Sequence, residues 1–328
     1  MKIAFLTEMG FIGKVPSVHP NMRTEFAWMH ALDADHFNIH MIDGLTGYDH
    51  VFVIFPKGKT FLSSEGSTLV KGVNPVSELL RQPIVKRIKE KGNGSVHYIQ
   101  EGPHWWWNDY EVNDQIYFYN FLSECDSIFT HNSSDVPYYK GLFPNKEVRP
   151  IFTLMIEELV KNIVPTKENK AIIGGNFARW YGGFESYIVA NEFDCEIWTQ
   201  DSHAKRVGEE SVDGIKHFKR MIWQVWMNEL SKFKYGVHLM PTVAAGTFSL
   251  NCAYFGIPCI GNVEVDTQSL CHPNLAVAIN DIQNARTLAK ILKDNPTYYN
   301  SCSERAKDSY HTHYSVDVWT KRIKNYLG

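Results

Sequence analysis

Short, almost purely apolar runs impose the first constraint on this chain. KIAFLT (2–7) and HVFVIFP (50–56) are strand-length and lack the alternation of a strand with one wet face. Strands of that kind are buried on both faces, which requires a parallel sheet with helices above and below. FNIHMI (37–42), SVHYIQEG (95–102) and SIFTHN (127–132) extend the series. Helical patterns fall between them: 23–32, then SELLRQPIVKRIKEKG, with Pro83 as a kink, then DQIYFYNFLSEC. VPYYKGLF reads as a short helix or a loop.

LVKNIVPTKENK (159–170) is polar and contains Pro165, a composition break that marks a linker. The alternation then restarts with KAIIGGNF (strand and loop), ESYIVANEF (helix), CEIWTQ (strand), MIWQVWMNELSKF (helix) and YGVHLMP (strand). ARTLAKILKDN and 297–328 close the chain as helices. A length of 328 residues suits two domains of roughly 150 each. Two such α/β units put a ligand cleft at the carboxyl ends of their strands.

Bulk composition excludes more than it selects. A net charge of -3 gives no long-range pull on polyanions, although a local basic groove is compatible with it. The six cysteines show no CxxC spacing and read as reduced core thiols of a cytosolic protein. MKIAFLTEMG has an apolar run of only four residues before Thr7 and Glu8, so it is a first strand rather than a signal peptide. No stretch approaches the roughly 20 apolar residues of a membrane span. The expectation is a cytoplasmic protein of a bacterium or a phage-infected host, monomeric or weakly homo-oligomeric.

Two phosphate-binding patterns fail. GKT (58–60) follows a strand, but a Walker loop needs glycine at 53, where valine stands. No GxGxxG follows the first strand, which argues against a nicotinamide dehydrogenase. TFSLNCAYFGIPCIGN (247–262) carries more. It reads as a helix from Thr247 or Ser249 to Gly256, then a short strand from Pro258. VHLMPTVAAG precedes it as a strand and a loop of small residues. A strand, such a loop and a helix N-terminus with hydroxyls hold an anion through first-turn N–H groups. In IIGGNFARWYGGFES (172–186), Gly174 and Gly175 let backbone approach a ligand, and Arg179 offers a bidentate fork for a diphosphate. The plainer alternatives are a buried helix and a surface arginine.

Taken together, the two segments resemble the C-terminal half of the GT-B glycosyltransferases, which transfer a sugar from a nucleotide sugar. In that family a basic early loop grips the diphosphate, and Gly175 to Arg179 match it. A run of the form acid, Ala, x, Ala, x, Gly, x, Pro, Val, Ile binds the donor nucleotide, and 251–260 lie on that frame. YHTHYSVDVWTKRIKNYL (310–327) is similar to the family's closing helix. The resemblance implies two Rossmann-like domains facing each other across a cleft: an acceptor domain over 1–160 and a donor domain over 161–305. A helix over 306–328 would cross back to the first domain. It also implies donor contacts from Gly175, Arg179, Gly246, Thr247, Phe248, Ser249 and Asn251. The donor would be a UDP-sugar, with fixed dipoles and an arginine stabilising the leaving diphosphate without a metal.

One departure matters. Retaining members carry two glutamates eight residues apart in that run, where this chain has Val243 and Asn251. A fainter resemblance is to the phage DNA β-glucosyltransferases, which glucosylate hydroxymethylcytosine. Their Gly-Gly-Ser-Phe-Arg run is close to 174–179, and their strand-end acid matches Glu101. On the acceptor side Glu101 is the first candidate base and His104 the second. Trp105 and Trp106 offer a stacking wall for a sugar or a flipped base, and His19 is a further acceptor-side candidate. The acceptor is then a modified DNA base or a saccharide. Competing functions are a binding protein that has kept the fold without the chemistry, and a sugar-nucleotide epimerase.

Overall fold

The computed structural model describes residues 1–7, 13–17, 19–39, 41–55, 81–109, 111–175, 177, 180–200 and 213–328. The chain divides into two compact units. Met1–His19, Glu25–Phe152 and Ile323–Gly328 form the first, and Pro20–Thr24 with Thr153–Arg322 form the second.

In the first unit the strands are β1 (Ile3–Thr7), β2 (Gly13–Lys14), β3 (Asp35–Asn38), β4 (His50–Ile54), β5 (Ser95–Ile99), β6 (Ser127–Thr130) and β7 (Glu147–Pro150). Their order is β2-β3-β1-β4-β5-β6-β7, parallel except for the short β2 against β3. The central strands β1 and β4 are buried along nearly their whole length, as their unbroken apolar runs require. Leu6, Val51, Val53 and Tyr98 join Phe118 and Phe121 of α3 (Val112–Glu124) in one core. The preceding helices are α1 (Glu25–Ala31) and α2 (Ile84–Glu90), and α4 (Val136–Leu142) follows.

Two expectations shift here. The strand expected over 37–42 ends at Asn38, and Ile42–Gly44 forms a 3-10 turn that drops Ile42 into the core. Pro83 stands at the N-cap of α2 instead of kinking it, a position where its missing N–H costs nothing.

The second unit holds β8 (Glu168–Ile173), β9 (Glu196–Thr199), β10 (Ile215–His217), β11 (Phe233–His238), β12 (Cys259–Asn262) and β13 (Ala276–Val277). These form a wholly parallel sheet in the order β10-β9-β8-β11-β12-β13. Its helices are α5 (Gly183–Ala190), α6 (Trp223–Leu230), α7 (Thr247–Phe255), α8 (Asp266–Cys271), α9 (Ile282–Asp294), α10 (Pro296–His313) and α11 (Val316–Leu327). The last residues of α11 belong to the first unit, where Tyr326 lies under the Arg149 guanidinium at 4.5 Å. All six cysteines are unpaired, and five are buried. Among the described residues no helix is long and apolar enough to cross a membrane.

Candidate functional site

Parallel sheets bind ligands beyond the carboxyl ends of their strands, so each unit offers one edge to inspect. In the second unit β8 ends at Ile173 and runs into Gly174 and Gly175. A Cβ at Gly174 would lie 2.5 Å from the His238 ring and 2.7 Å from the Phe248 ring. One at Gly175 would lie 2.6 Å from Tyr181 Cβ. Glycine is required at both for steric reasons. β11 ends at His238 and leads through a loop to Gly246, the N-cap of α7, in the left-handed conformation (φ 70°). A Cβ there would overlap Thr267 Oγ1 at 2.1 Å.

The turn into α7 is fastened from inside. Gly246 O accepts from Thr267 Oγ1 (2.9 Å) and from Ser249 Oγ (3.1 Å), and the two hydroxyls lie 2.6 Å apart. At the other end Gly256 O accepts from Lys167 Nζ (2.7 Å) and Ser303 Oγ (2.6 Å). Both termini of a nine-residue helix are therefore fixed, and its first-turn N–H groups, which no helix can satisfy internally, keep one direction.

The expected donor residues fall into distinct places. Thr247 is half-buried at the start of α7. Phe248 packs inward at 5% exposure, with His238 edge-on at 5.2 Å and Trp226 at 6.5 Å. Ser249 differs from expectation: its hydroxyl is spent inside the turn, so it shapes the helix start instead of reaching an anion. Asn251 is 1% exposed with Oδ1 lacking a partner among the described residues, so a ribose contact would require uncovering it. Arg179 lies outside the described residues. Sequence reasoning missed Thr267 and His238, although an imidazole ending the apolar run YGVHLMP was a visible signal.

In the first unit β5 ends at Ile99 and is followed by Gln100, half-buried Glu101, and Gly102 with φ 74°. His104 opens a 3-10 turn and its Nδ1 lies 2.7 Å from Asp135 Oδ1. Asp135, 2% exposed, also accepts from Gln100 Nε2 at 2.9 Å. Tyr138 lies against the imidazole, ring centres 4.3 Å apart. A carboxylate on Nδ1 orients the ring and leaves Nε2 to face a substrate proton, the arrangement of a general base. Asp135, 31 residues away, was not foreseen.

The tryptophan run divides. Trp107 is buried and stacks on Phe118 at 3.5 Å, whereas Trp105 and Trp106 are half-buried and parallel to one another, 6.0 Å apart. His19 stacks on Phe26 at 3.8 Å. The acids Asp33 and Asp35, spaced as in metal-binding Asp-x-Asp runs, both pair with Lys14. Among the described residues no three His, Cys, Asp or Glu side chains converge as metal ligands.

No family model matches this sequence, and no curated protein matches it. Solved structures do match. An α-glucosyltransferase in complex with UDP and a 13-mer DNA containing an HMU base superposes with a TM-score of 0.66 at 11% identity, over 100% of this chain and 99% of that one. HepE of Anabaena, in complex with UDP and glucose, gives 0.67 at 9% identity over 100% and 99%. Sucrose-phosphate synthase of Thermosynechococcus elongatus gives 0.62 at 12% over 99% and 98%. At these identities the likeness establishes the fold, and the fold is that of the GT-B glycosyltransferases.

Proposed function

We propose that this protein moves a sugar from a nucleoside-diphosphate sugar, a UDP-sugar first of all, to an acceptor hydroxyl. The observation that carries this reading is the carboxyl edge of the second sheet. There the fastened N-terminus of α7 stands beside Gly174, with a left-handed glycine setting its direction. First-turn N–H groups from Thr247 onward hold the diphosphate, Gly175 admits it to the backbone, and Arg179 neutralises it. Solved structures of the same fold that contain UDP support the choice of nucleotide.

The first unit serves the acceptor. His104 Nε2 takes the proton of the acceptor hydroxyl while Nδ1 stays bonded to Asp135, and Glu101 is the second candidate. The acceptor oxygen bonds to the anomeric carbon, and the carbon–oxygen bond to the diphosphate breaks. The electron pair leaves with UDP, where the helix dipole and Arg179 stabilise it, so the scheme needs no metal. Val243 and Asn251 stand where retaining members of the resembled family carry two glutamates. Trp105 and Trp106 stack on the acceptor, a saccharide or a hydroxymethylated DNA base.

The test is free UDP released from UDP-glucose, with and without each acceptor, beside a melting-temperature panel of nucleoside diphosphates. UDP release that rises with one acceptor class supports the proposal and names the class. Duplex binding that weakens steeply with salt selects DNA. A protein that neither melts higher with any nucleoside diphosphate nor releases UDP overturns it. Arg179→Ala is expected to abolish turnover with the fold intact.

A further inference from the structure

One half-buried side chain at the donor edge has a buried ring nitrogen with no hydrogen-bond partner among the described residues. His238 ends β11, the strand paired with β8 on one side and β12 on the other. Its ring meets Phe248 edge-on and lies against Gly174. Although the residue retains some surface, Nε2 is buried and has no hydrogen-bond partner among the described residues. Other buried imidazoles are tied down. His272 reaches Ser249 O (3.0 Å) and Cys259 N (3.4 Å), and His97 reaches His50 (3.0 Å) and Ser127 (2.7 Å). His217 also lacks hydrogen-bond partners among the described residues, but β10 lies at the far edge of the sheet.

A buried polar atom without a partner costs free energy, and a ligand that supplies the partner recovers it. The position narrows the choice of ligand. Phe248 belongs to the first turn of α7, so the imidazole adjoins the place where the helix N-terminus and the glycine loop would put an anion. Gly174 carries no side chain, so on that side only backbone lies against the ring.

We propose that His238 donates a hydrogen bond from Nε2 to the diphosphate of the bound nucleotide, acting as a donor-binding residue on the β11 side of the site. This rests on the function proposed above. Burial holds the imidazole at about 4, so it meets the ligand neutral, and one of its two tautomers presents a proton on Nε2. A neutral donor adds specificity for an anionic oxygen without bringing a second buried charge into the site.

The experiment is UDP titration calorimetry on three proteins: the parent, His238→Leu and His238→Gln. Leucine removes the donor, while glutamine carries an amide near the position of Nε2. The expected result is a loss of tenfold or more in UDP affinity for His238→Leu, the scale of one hydrogen bond to a charged group, with His238→Gln within threefold of the parent. Should leucine prevent folding, His238→Asn, whose amide stops short of Nε2, takes its place. Parental affinity in the leucine variant overturns the proposal, as does an equal loss in both variants, which would mean a packing role. A parent that binds no nucleoside diphosphate fails the functional reading first and takes this inference with it. A parent that binds UDP indifferently to position 238 fails this inference alone.

Discussion

The carboxyl edges of the two sheets are built from different materials. In the second unit the edge is mostly backbone: two glycines where a Cβ would collide, a left-handed Gly246, and a helix start fastened by Thr267. In the first unit it is a side-chain relay, Gln100 to Asp135 to His104, with half-buried tryptophans beside it. Backbone amides and a helix dipole suit a fixed charge that must be held, because they lose no rotamer freedom on binding. An oriented imidazole suits a proton that must be moved. The difference predicts a division of labour, with donor affinity in one unit and the chemical step in the other.

The largest effect should come from the relay. His104→Ala is expected to lower kcat by about 10²–10⁴-fold, the usual yield of a general base, with UDP affinity unchanged. Asp135→Asn should follow it with a smaller loss, because an amide can hold the ring in the wrong tautomer. Steady-state kinetics beside UDP calorimetry separates the two quantities. If His104→Ala weakens UDP binding as much as it slows transfer, the division between the edges is wrong.

The same difference explains what the sequence could disclose. A backbone site is written locally: Gly174-Gly175 after an apolar strand, and Gly246 ahead of TFSLNCAYF, announce close approach and a helix start from a few adjacent residues. The strands β1 and β4 were equally legible, since burial on both faces leaves an unbroken apolar run. The relay was not, because nothing in the spacing of His104 and Asp135 says that β5 and β6 will bring them together. β10 and β13, with three and two residues, are too short to show a period. Ser249 misled for another reason: a hydroxyl at a helix start looks free until Thr267, 18 residues on, claims it.

Acid should strike through the buried histidines, and here the comparison can be sharpened. His97 in the first unit is held at about 4, by burial first and by the charge His50 would carry second. Its unfolded value is near 6.5. Because the folded value is the lower one, its contribution is intact above pH 6.5 and is lost as pH falls from 6.5 through 4. The full loss is roughly 3 kcal/mol. Unfolding midpoints between pH 7 and 4 should fall, and His97→Phe should flatten that slope. His238 sits at a similar value but without a partner for Nε2 among the described residues. UDP should therefore relieve its share of the acid sensitivity and leave that of His97 untouched. A slope that responds to UDP equally in parent and His238→Gln would remove the contrast between a satisfied and a waiting imidazole.

The backbone edge is tested by Gly246→Ala. Alanine at φ 70° is strained, and its Cβ would displace the Thr267 hydroxyl that fastens the turn. A destabilisation of about 1–3 kcal/mol is expected, seen as a lower melting temperature. UDP affinity should fall as well, beyond what the stability loss imposes. Ser249→Ala removes one strand of the same fastening and should do less, since Thr267 still reaches Gly246 O at 2.9 Å.

The smallest effect concerns the tryptophans, and it tests the proposed acceptor edge without touching the relay. Trp105 and Trp106 lie parallel and half-buried, while Trp107 is committed to the core on Phe118. Trp105→Ala should raise the KM for the acceptor by a few-fold, equivalent to about 0.5–1.5 kcal/mol of aromatic contact, with kcat and UDP affinity near the parent values. Trp107→Ala should instead lower the melting temperature, because it opens a cavity beside Phe118. If both substitutions change stability alone, the pair is wall and not platform. Acceptor recognition would then fall to His104, Tyr138 and Glu101, and a shorter acceptor would bind as well as a long one.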